Sequence, residues 1–246
     1  MRKLDIKAKD HLLSSEGKRN FNEKHFAEAA GRYDLATKML SFGQDASWKY
    51  CLIRGLPDQA NPFCLDLACG TGDITFLLAK KYPDGEILGV DLTREMIQIS
   101  TDRNSHSHVK FSVQDMGNLN LADETVDILT GSYAIRNAPD LDGTLMEFSR
   151  VLKPGGHVAF LDFSKPVSKP AQTLQYIMLR IWGGLIGLIL HQNTEVHGYI
   201  AESLRTFPNR EELKDKFSAH GFEIEKSTTR LFGLMALHFL ILAPKS

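Results

Sequence analysis

The pattern of hydrophobic and polar positions changes near residue 60. From residue 23 to residue 56, apolar side chains recur roughly at helical spacing, with a break near Ser41-Phe42-Gly43. Beyond this region, short apolar runs bounded by turn residues alternate with helical patterns. The short runs predict strands at residues 63–67, 86–91, 109–113, 126–130 and 157–163. The segments between them predict helices at residues 74–81, 94–102 and 141–152.

Strands that alternate with helices predict an α/β fold, with a mostly parallel sheet and helices on both faces. The alternation stops after residue 166, and residues 167–206 predict a long helical insertion. A helix at 209–219 and a closing antiparallel pair at 222–229 and 236–243 complete a seven-stranded sheet. We expect a single domain over residues 1–246. It would have a helical cap at 1–56 that begins with a polar, peripheral arm of about 20 residues.

Composition narrows the class of protein. The chain has 246 residues, 43% of them hydrophobic and 24% charged, as in ordinary globular domains. A formal net charge of −1 argues against a broad nucleic-acid surface, and the first residues lack the apolar core of a secretory signal. Cys51, Cys64 and Cys69 are too few for a disulfide framework and lack zinc-site spacing. We therefore expect a cytoplasmic protein without a metal site.

One apolar stretch stands out at residues 181–190, with the sequence IWGGLIGLIL. It is much shorter than the ~20 residues that a membrane-spanning helix needs. A buried helix is the simplest interpretation, and an interfacial patch or the wall of an apolar pocket are the alternatives. A pocket wall would form a tunnel for an apolar tail, lined by Leu185 and Leu188.

The first predicted strand runs into the turn Asp66-Leu67-Ala68-Cys69-Gly70-Thr71-Gly72-Asp73. Its small residues let the backbone approach a ligand. Thr75 stands where a dinucleotide-binding fingerprint needs a third glycine, and no Gly-Lys-Ser/Thr follows to make a phosphate-binding loop. The Asp66 carboxylate suits a cationic amino group better than a pyrophosphate. S-adenosylmethionine (SAM) carries an amino group and a sulfonium but no phosphate, so the turn predicts SAM.

Further polar residues follow the next strands. Asp91 ends the second strand, where a carboxylate can accept hydrogen bonds from both ribose hydroxyls; the alternative is a cap on the helix that follows. Asp115 and Met116 follow the third strand and suit an adenine ring, and Ser132 and Arg136 lie after the fourth. Ligands of open α/β sheets bind at the carboxyl ends of the strands, so these residues predict one site.

With these motifs, the chain resembles the ubiquinone/menaquinone biosynthesis C-methyltransferase family of class I SAM-dependent methyltransferases. The resemblance covers roughly residues 22–243. The glycine turn and Lys153-Pro154-Gly155-Gly156 are general to such enzymes. More specific to the family are Arg136-Asn137, Phe163-Ser164-Lys165-Pro166 and Tyr199-Ile200-Ala201-Glu202-Ser203. The resemblance implies a Rossmann-like fold, SAM as cofactor and a prenylated quinol such as demethylmenaquinol as substrate.

The resemblance also implies that Arg136 and Tyr33 lie near the quinol ring. Arg136 would stabilise a phenolate, and a water on Arg136, or His191 or His197, would take the proton. An ion pair of Arg136 with Asp140 or Asp142 is the structural alternative. The residues expected to bind SAM are Asp66, Gly70, Thr71, Gly72, Asp91, Leu92, Asp115, Met116 and Ser132.

Several positions depart from the family pattern. Asp45 and Ala46 stand where the family usually has a histidine and a basic residue, and Asp162 replaces a more common glutamate. These changes fall where substrate is expected, so a different aromatic or apolar acceptor is an alternative. A non-catalytic SAM-binding subunit is a further one. Contact with a membrane surface and a homodimer both stay open.

Overall fold

The computed structural model describes residues 14–243, and its first element is a helix. Helix α1 spans Ser15–Ala29 and is capped by Ser14, whose side chain accepts a hydrogen bond from the Gly17 N–H. Phe21 of α1 is buried. The predicted arm is therefore helical from Ser15 onward, and its residues 14–20 are exposed or half-buried, which agrees with a peripheral position. Residues 1–13 of that prediction lie outside the described residues.

Two more helices complete the N-terminal region. Helix α2 spans Tyr33–Leu40 and α3 spans Asp45–Arg54. The turn between them places Phe42 at φ 52° and Gly43 at φ 78°, in the left-handed region that ends helices. The predicted break at this point is confirmed.

The sheet has seven strands in the order β3-β2-β1-β4-β5-β7-β6. Strand β7 is antiparallel to both neighbours, and the other pairs are parallel. This arrangement confirms the predicted α/β, Rossmann-like fold with its closing antiparallel pair. The strands are β1 Phe63–Leu67, β2 Glu86–Asp91, β3 Val109–Val113, β4 Val126–Ser132, β5 Leu152–Phe163, β6 Phe222–Arg230 and β7 Met235–Leu242.

Hydrophobic cores lie on both faces of the sheet, because strand side chains alternate between faces. In β4, Leu129 packs in one core and Ile128 in the other. The first core includes residues of helices α6 (Leu141–Val151) and α9 (Arg210–Ala219), and the second includes residues of α3 and α4 (Asp73–Lys81). Helix α5 spans Arg94–Arg103 and follows β2.

Strand β5 begins earlier than the sequence predicts. Its pairing with β4 starts at Leu152 opposite Val126 and resumes at His157 opposite Ile128. The residues between them form a bulge in which Gly155 has φ 77°. The motif Lys153-Pro154-Gly155-Gly156 therefore lies inside a strand.

The insertion is a pair of helices, α7 (Lys169–His191) and α8 (Glu195–Thr206). They pack closely: a Cβ on Gly183 of α7 would lie 2.5 Å from the His197 carbonyl oxygen of α8. The opposite face of α7 is exposed, with apolar side chains at helical spacing. These are Leu174, Ile177, Met178, Ile181, Leu185, Leu188 and Ile189, here called the outer stripe. The interpretation of residues 181–190 as a buried helix therefore holds for the face that packs on α8 and is wrong for the opposite face.

Candidate functional site

The glycine turn lies at the carboxyl edge of the sheet, between β1 and α4. Ala68, Gly70 and Gly72 have φ values of 46°, 54° and 92°, so three residues of the turn are left-handed. A Cβ on Gly72 would lie 2.8 Å from the Phe76 ring, which helps to explain why glycine is needed there. Gly72 precedes α4 and lines none of the cavities described below.

Asp66, at the end of β1, is buried under the turn. Its carboxylate accepts hydrogen bonds from Thr75 Oγ1 at 2.6 Å and Thr130 Oγ1 at 2.9 Å. Burial raises the pKa of Asp66 to about 7, although both hydrogen bonds oppose the shift. Asp66 lines a small cavity with Gly70, Thr71 and Ser132, which we call the turn cavity.

A second cavity lies beside the turn, and most of the predicted SAM-binding residues converge on it. We call it the strand-end cavity; it also touches Asn22 and Phe26 of α1. Its predicted members are Gly70, Asp91, Leu92, Asp115, Met116 and Ser132.

Asp91 and Ser132 give the strand-end cavity its polar character. The Asp91 carboxylate accepts from the Gly70 N–H at 2.9 Å and from the Thr93 N–H at 2.8 Å. It therefore helps to cap the segment before α5, as the alternative interpretation expected, and it also lines the cavity, where its role toward a ribose stays a prediction. The Ser132 hydroxyl is buried and has no hydrogen-bond partner among the described residues. An unpartnered hydroxyl beside a strand-end carboxylate fits a ligand with ribose hydroxyls, as SAM has.

Thr71 and Asp115 make other contacts as well. Thr71 Oγ1 donates to Asp34 Oδ1 at 2.7 Å. Asp115 accepts from the Gly117 N–H and forms an ion pair with Arg19 of α1, with 3.2 Å between Arg19 Nε and Asp115 Oδ2. Helix α1 is thereby tied to the residues expected to hold the adenine.

A larger cavity of about 370 Å³ lies between the N-terminal helices, the insertion and the sheet edge. We call it the large cavity. Its volume is in the range of small-molecule sites, and its lining is mostly apolar. The three predicted catalytic residues, Tyr33, Arg136 and His197, all line it. Leu185 and Leu188 do not; they lie on the exposed outer stripe, so the predicted lining of the tunnel is wrong at these two positions.

Arg136 is the charged group of the large cavity and is only 3% exposed. One guanidinium nitrogen donates to Ser203 Oγ at 2.5 Å, and Nε lies 3.5 Å from Asp162 Oδ1. The guanidinium also lies over the rings of Phe163 and Tyr199, 5.4 and 5.6 Å from their centroids. The two residues predicted as alternative partners of Arg136 have other contacts. Asp140 caps α6, and Asp142 forms an ion pair with Lys216.

Histidines form a polar group on the insertion side of the large cavity. His197 Nε2 is buried without a partner among the described residues, and burial lowers the pKa of His197 to about 4. His191 contacts His197 edge to face at 5.2 Å but does not line the cavity. His25 of α1, which the sequence did not indicate, does line it, and burial lowers the pKa of His25 to about 3. Within residues 14–243, no group of three or more His, Cys, Asp or Glu could hold a metal ion.

Tyr133 lies between the predicted residues Ser132 and Arg136, and the sequence pattern assigned it no role of its own. It follows β4 with φ 59°, a left-handed conformation that costs a bulky residue about 1–3 kcal/mol. Its hydroxyl donates to Asp45 Oδ1 at 2.6 Å, and the other Asp45 oxygen lies 2.7 Å from Lys49 Nζ. Asp45 and Asp73 raise the pKa of Lys49, although burial opposes the shift.

The mouth of the large cavity is apolar and meets the outer stripe. Ile177, Met178 and Ile181 belong to both. Phe42, from the turn between α2 and α3, stacks on Trp182 with 5.1 Å between ring centroids. An apolar ligand can therefore extend from Arg136 to the exposed face of α7 without crossing a charged group of the lining.

Sequence comparisons agree with this geometry. A family model described as the ubiE/COQ5 methyltransferase family matches residues 14–241. The ubiquinone/menaquinone biosynthesis C-methyltransferase UbiE of Rubrivivax gelatinosus is 37% identical over 216 residues, covering 87% of this chain and 83% of the relative. The UbiE of Desulfotalea psychrophila is 31% identical, with 96% and 95% covered. The demethylmenaquinone methyltransferase of a Geobacillus species is also 31% identical, with 87% and 93% covered.

Solved structures share the fold at low identity. A SAM-dependent methyltransferase from Aquifex aeolicus superposes with a TM-score of 0.58 at 13% identity, over 85% of this chain and 98% of that one. A geranyl diphosphate C-methyltransferase from Streptomyces coelicolor gives 0.59 at 14% identity, over 81% of each chain. These likenesses concern the class I methyltransferase fold alone.

Proposed function

Since this chain belongs to the ubiE/COQ5 methyltransferase family, we propose that it transfers a methyl group from SAM to a ring carbon of a prenylated quinol such as demethylmenaquinol. The chain is a SAM-dependent methyltransferase of quinone biosynthesis by family. The observation that carries the choice of acceptor is the large cavity: a buried arginine at its inner part and an apolar mouth. A phenolic head and a hydrocarbon tail match these two regions.

Two aromatic residues connect the proposed acceptor site to the proposed SAM site. Tyr33 and Tyr133 line the large cavity, the strand-end cavity and the turn cavity alike. A quinol ring in the large cavity would therefore lie next to whatever occupies the strand-end cavity. Direct methyl transfer needs this adjacency, because the attacking carbon and the methyl group must be about 3–3.5 Å apart and aligned.

In the proposed mechanism, SAM supplies a methyl group attached to a positively charged sulfur. Arg136 stabilises the quinol oxygen as that oxygen gives its proton to His197, which makes the neighbouring ring carbon a better nucleophile. The ring carbon takes the methyl group as the sulfur–methyl bond breaks. It then loses its hydrogen as a proton, the ring is aromatic again, and one proton is released for each methyl group transferred. Asp162 and Ser203 fix the guanidinium in place. The apolar lining keeps water away, so the Arg136 charge acts in a medium of low dielectric constant.

His197 is the proposed partner for the quinol hydroxyl. Because its pKa is lowered to about 4, its ring is neutral at pH 7 and Nε2 can accept a hydrogen bond. Burial makes it a weak base, so proton loss depends on Arg136 stabilising the oxygen that is left. His191 is not proposed as the base because it does not line the cavity.

A product assay tests the function. Purified protein with SAM and a short-tailed demethylmenaquinol should give S-adenosylhomocysteine and carbon-methylated quinol in equal amounts, measured by liquid chromatography and mass spectrometry. Methylation of a quinol oxygen instead of a ring carbon would contradict the proposed reaction. Methylation of a different aromatic acceptor alone would contradict the proposed substrate. SAM binding without turnover of any acceptor would support a non-catalytic subunit.

We also propose that the outer stripe rests on a membrane surface, with the protein otherwise in the cytoplasm. Helix α7 has 23 residues and is long and apolar enough to cross a bilayer by length and composition alone. Its inner face, however, packs on α8 through Gly183, so the geometry favours a helix that lies in the plane of the interface. The stripe is continuous with the mouth of the large cavity, where a prenyl tail would leave the protein.

Vesicle binding should decrease about tenfold in Ile181→Ser, since Ile181 is 67% exposed at the centre of the stripe. An isoleucine that is buried in the membrane contributes roughly 1.5 kcal/mol or more to the free energy of binding. A loss of about 1.4 kcal/mol lowers the binding constant tenfold. Cosedimentation with phospholipid vesicles measures the effect. The matched control is Met146→Ser, which alters an exposed apolar side chain of α6.

The same variant also tests a homodimer through this face. Equal vesicle binding by Ile181→Ser and the wild-type protein would argue against the membrane. If light scattering then shows a wild-type dimer that becomes a monomer in Ile181→Ser, a second copy is the occupant of the stripe.

A further inference from the structure

We propose that Tyr133 aligns the methyl donor with the acceptor ring, and that the buried Asp45–Lys49 pair acts as a positioning device that holds Tyr133 in place. This inference rests on the proposed function and adds to it a residue pair that connects α3 to the end of β4.

The first observation is the place of Tyr133 in the fold. Within residues 14–243, Tyr33 and Tyr133 are the two side chains that line all three cavities at the sheet edge. Tyr133 directly follows Ser132 and lies three residues before Arg136. Any change in its ring position therefore affects both the donor side and the acceptor side.

The second observation is that Tyr133 is fixed at three points. Its N–H donates to the Leu161 carbonyl oxygen at 2.6 Å, and its own carbonyl oxygen accepts from Asn137 Nδ2 at 2.8 Å. Its hydroxyl donates to Asp45. Three fixed points maintain a left-handed backbone that tyrosine rarely adopts. Strained residues held in this way cluster at sites where position matters.

The third observation is the buried ion pair behind the hydroxyl. Asp45 and Lys49 are both under 10% exposed, and Lys49 Nζ also lies 3.1 Å from Asp73 Oδ2. A buried ion pair often adds little net stability compared with apolar residues of similar size. The pair does fix the orientation of the Asp45 carboxylate, because charged hydrogen-bonding groups need their partners at particular angles. Lys49 Nζ also lies 5.9 Å from the centre of the Tyr133 ring.

These contacts indicate what Tyr133 does in the proposed reaction. Its ring separates the strand-end cavity from the large cavity and sets the distance between the methyl group and the ring carbon. The hydrogen bond to Asp45 keeps the ring at one angle. Small misplacements of reacting groups, about 1 Å, can cost a hundredfold in rate.

The test uses Tyr133→Phe, Asp45→Ala and the double variant in the whole chain; alanine removes the oxygen that accepts from the Tyr133 hydroxyl, and Lys49 keeps its ion pair with Asp73. Tyr133→Phe keeps the ring and loses only the hydroxyl. We expect kcat to fall about tenfold to a hundredfold in each single variant, while KM for SAM and for the quinol changes less than threefold. The double variant should be no slower than the slower single variant, because both changes break the same hydrogen bond.

Urea unfolding of the same four proteins without SAM gives a readout that is independent of activity. If the hydrogen bond is present, the midpoint shifts of the two single variants are not additive in the double variant. Tyr82→Phe is the matched control, because the Tyr82 hydroxyl donates to the Pro57 carbonyl oxygen at the same 2.6 Å and lies in none of the three cavities. This control should shift the urea midpoint and leave kcat unchanged.

The outcomes separate this inference from the proposed function. An active wild-type protein with an unchanged kcat in Tyr133→Phe, or with additive losses in the double variant, overturns the role of Tyr133 alone. A wild-type protein that methylates no quinol overturns the proposed function and this role with it. A fall in kcat matched by Tyr82→Phe shows a general loss of folding and also overturns the inference.

Discussion

Replacing Arg136 with alanine lowers kcat by about 10²–10³-fold and leaves the affinity for SAM nearly unchanged. We expect a fall in kcat of this size because the variant loses a preorganised positive group beside an oxygen that becomes negative. SAM affinity is spared because Arg136 lines the large cavity and not the strand-end cavity. Steady-state kinetics with a short-tailed demethylquinol and calorimetry with SAM measure the two quantities.

The structure adds a stability cost to this variant, which needs a control. Without Arg136, the Asp162 carboxylate stays buried without its cation, and breaking such a pair costs about 3–5 kcal/mol. Arg136→Ala with Asp162→Asn should recover much of the stability but none of the rate. Arg136→Lys should recover only part of the rate, since lysine lacks the planar fork. Parallel losses of SAM binding and kcat would instead indicate a structural role.

The affinity for SAM should fall about tenfold per pH unit as the pH is lowered from 7 to 5. The cause is Asp66, whose pKa burial raises to about 7. Asp66 is ionised above that value and is then able to pair with the SAM ammonium group in the turn cavity. Below it, the carboxyl is protonated in the free protein, so SAM binding must displace a proton. Above roughly pH 7.7–8.0 the ammonium itself loses its proton, which places the highest affinity near neutrality.

Calorimetry of SAM binding across this pH range checks the slope, and Asp66→Asn is the control. An asparagine does not titrate, so the variant should bind SAM weakly and equally at pH 5 and pH 7. Lys49 also faces the turn cavity and stays charged throughout, because Asp45 and Asp73 raise its pKa against the effect of burial. A slope that survives in Asp66→Asn would assign the proton to Asp91, whose pKa burial also raises.

The sequence could predict that the proposed SAM-binding residues lie together, because their grouping depends on local features. Asp91 and Ser132 each end a strand and Asp66 is the last residue but one of β1, and parallel strands bring their carboxyl ends to one edge. Strand periodicity and turn residues are therefore enough to bring them together. The glycine turn could be predicted for a similar reason, because its left-handed residues lie within one short segment of the sequence.

The proposed acceptor site was harder to predict because its contacts join distant segments. Tyr133 meets Asp45 across 88 positions, and Ser203 bonds to Arg136 across 67. No spacing rule indicates such pairs. Asp45 was noted only as a departure from the family pattern, and the structure gives it a partner. The sequence did not indicate His25 either, because the pattern of polar and apolar residues along α1 does not distinguish it from its neighbours.

The orientation of α7 shows a different limit. Periodicity identifies the inner face of a helix when that face is more apolar than the outer one. In α7 the inner face includes Gly183, Gly187 and Gln175, while the outer stripe consists of large apolar side chains. Close backbone packing against α8 at the glycines leaves the inner face with few large hydrophobic side chains, namely Leu179, Ile186 and Leu190. Leu185 and Leu188 were therefore assigned to the wrong side.

The outer stripe has a practical consequence for work with the isolated protein. A formal net charge of −1 gives little electrostatic repulsion between molecules near neutral pH. A row of exposed leucine and isoleucine side chains on such a surface promotes self-association in lipid-free buffer. The apparent mass in gel filtration will then rise with protein concentration and with kosmotropic salt, which strengthens apolar association. Purification in mild detergent from lysis onward keeps the molecules apart.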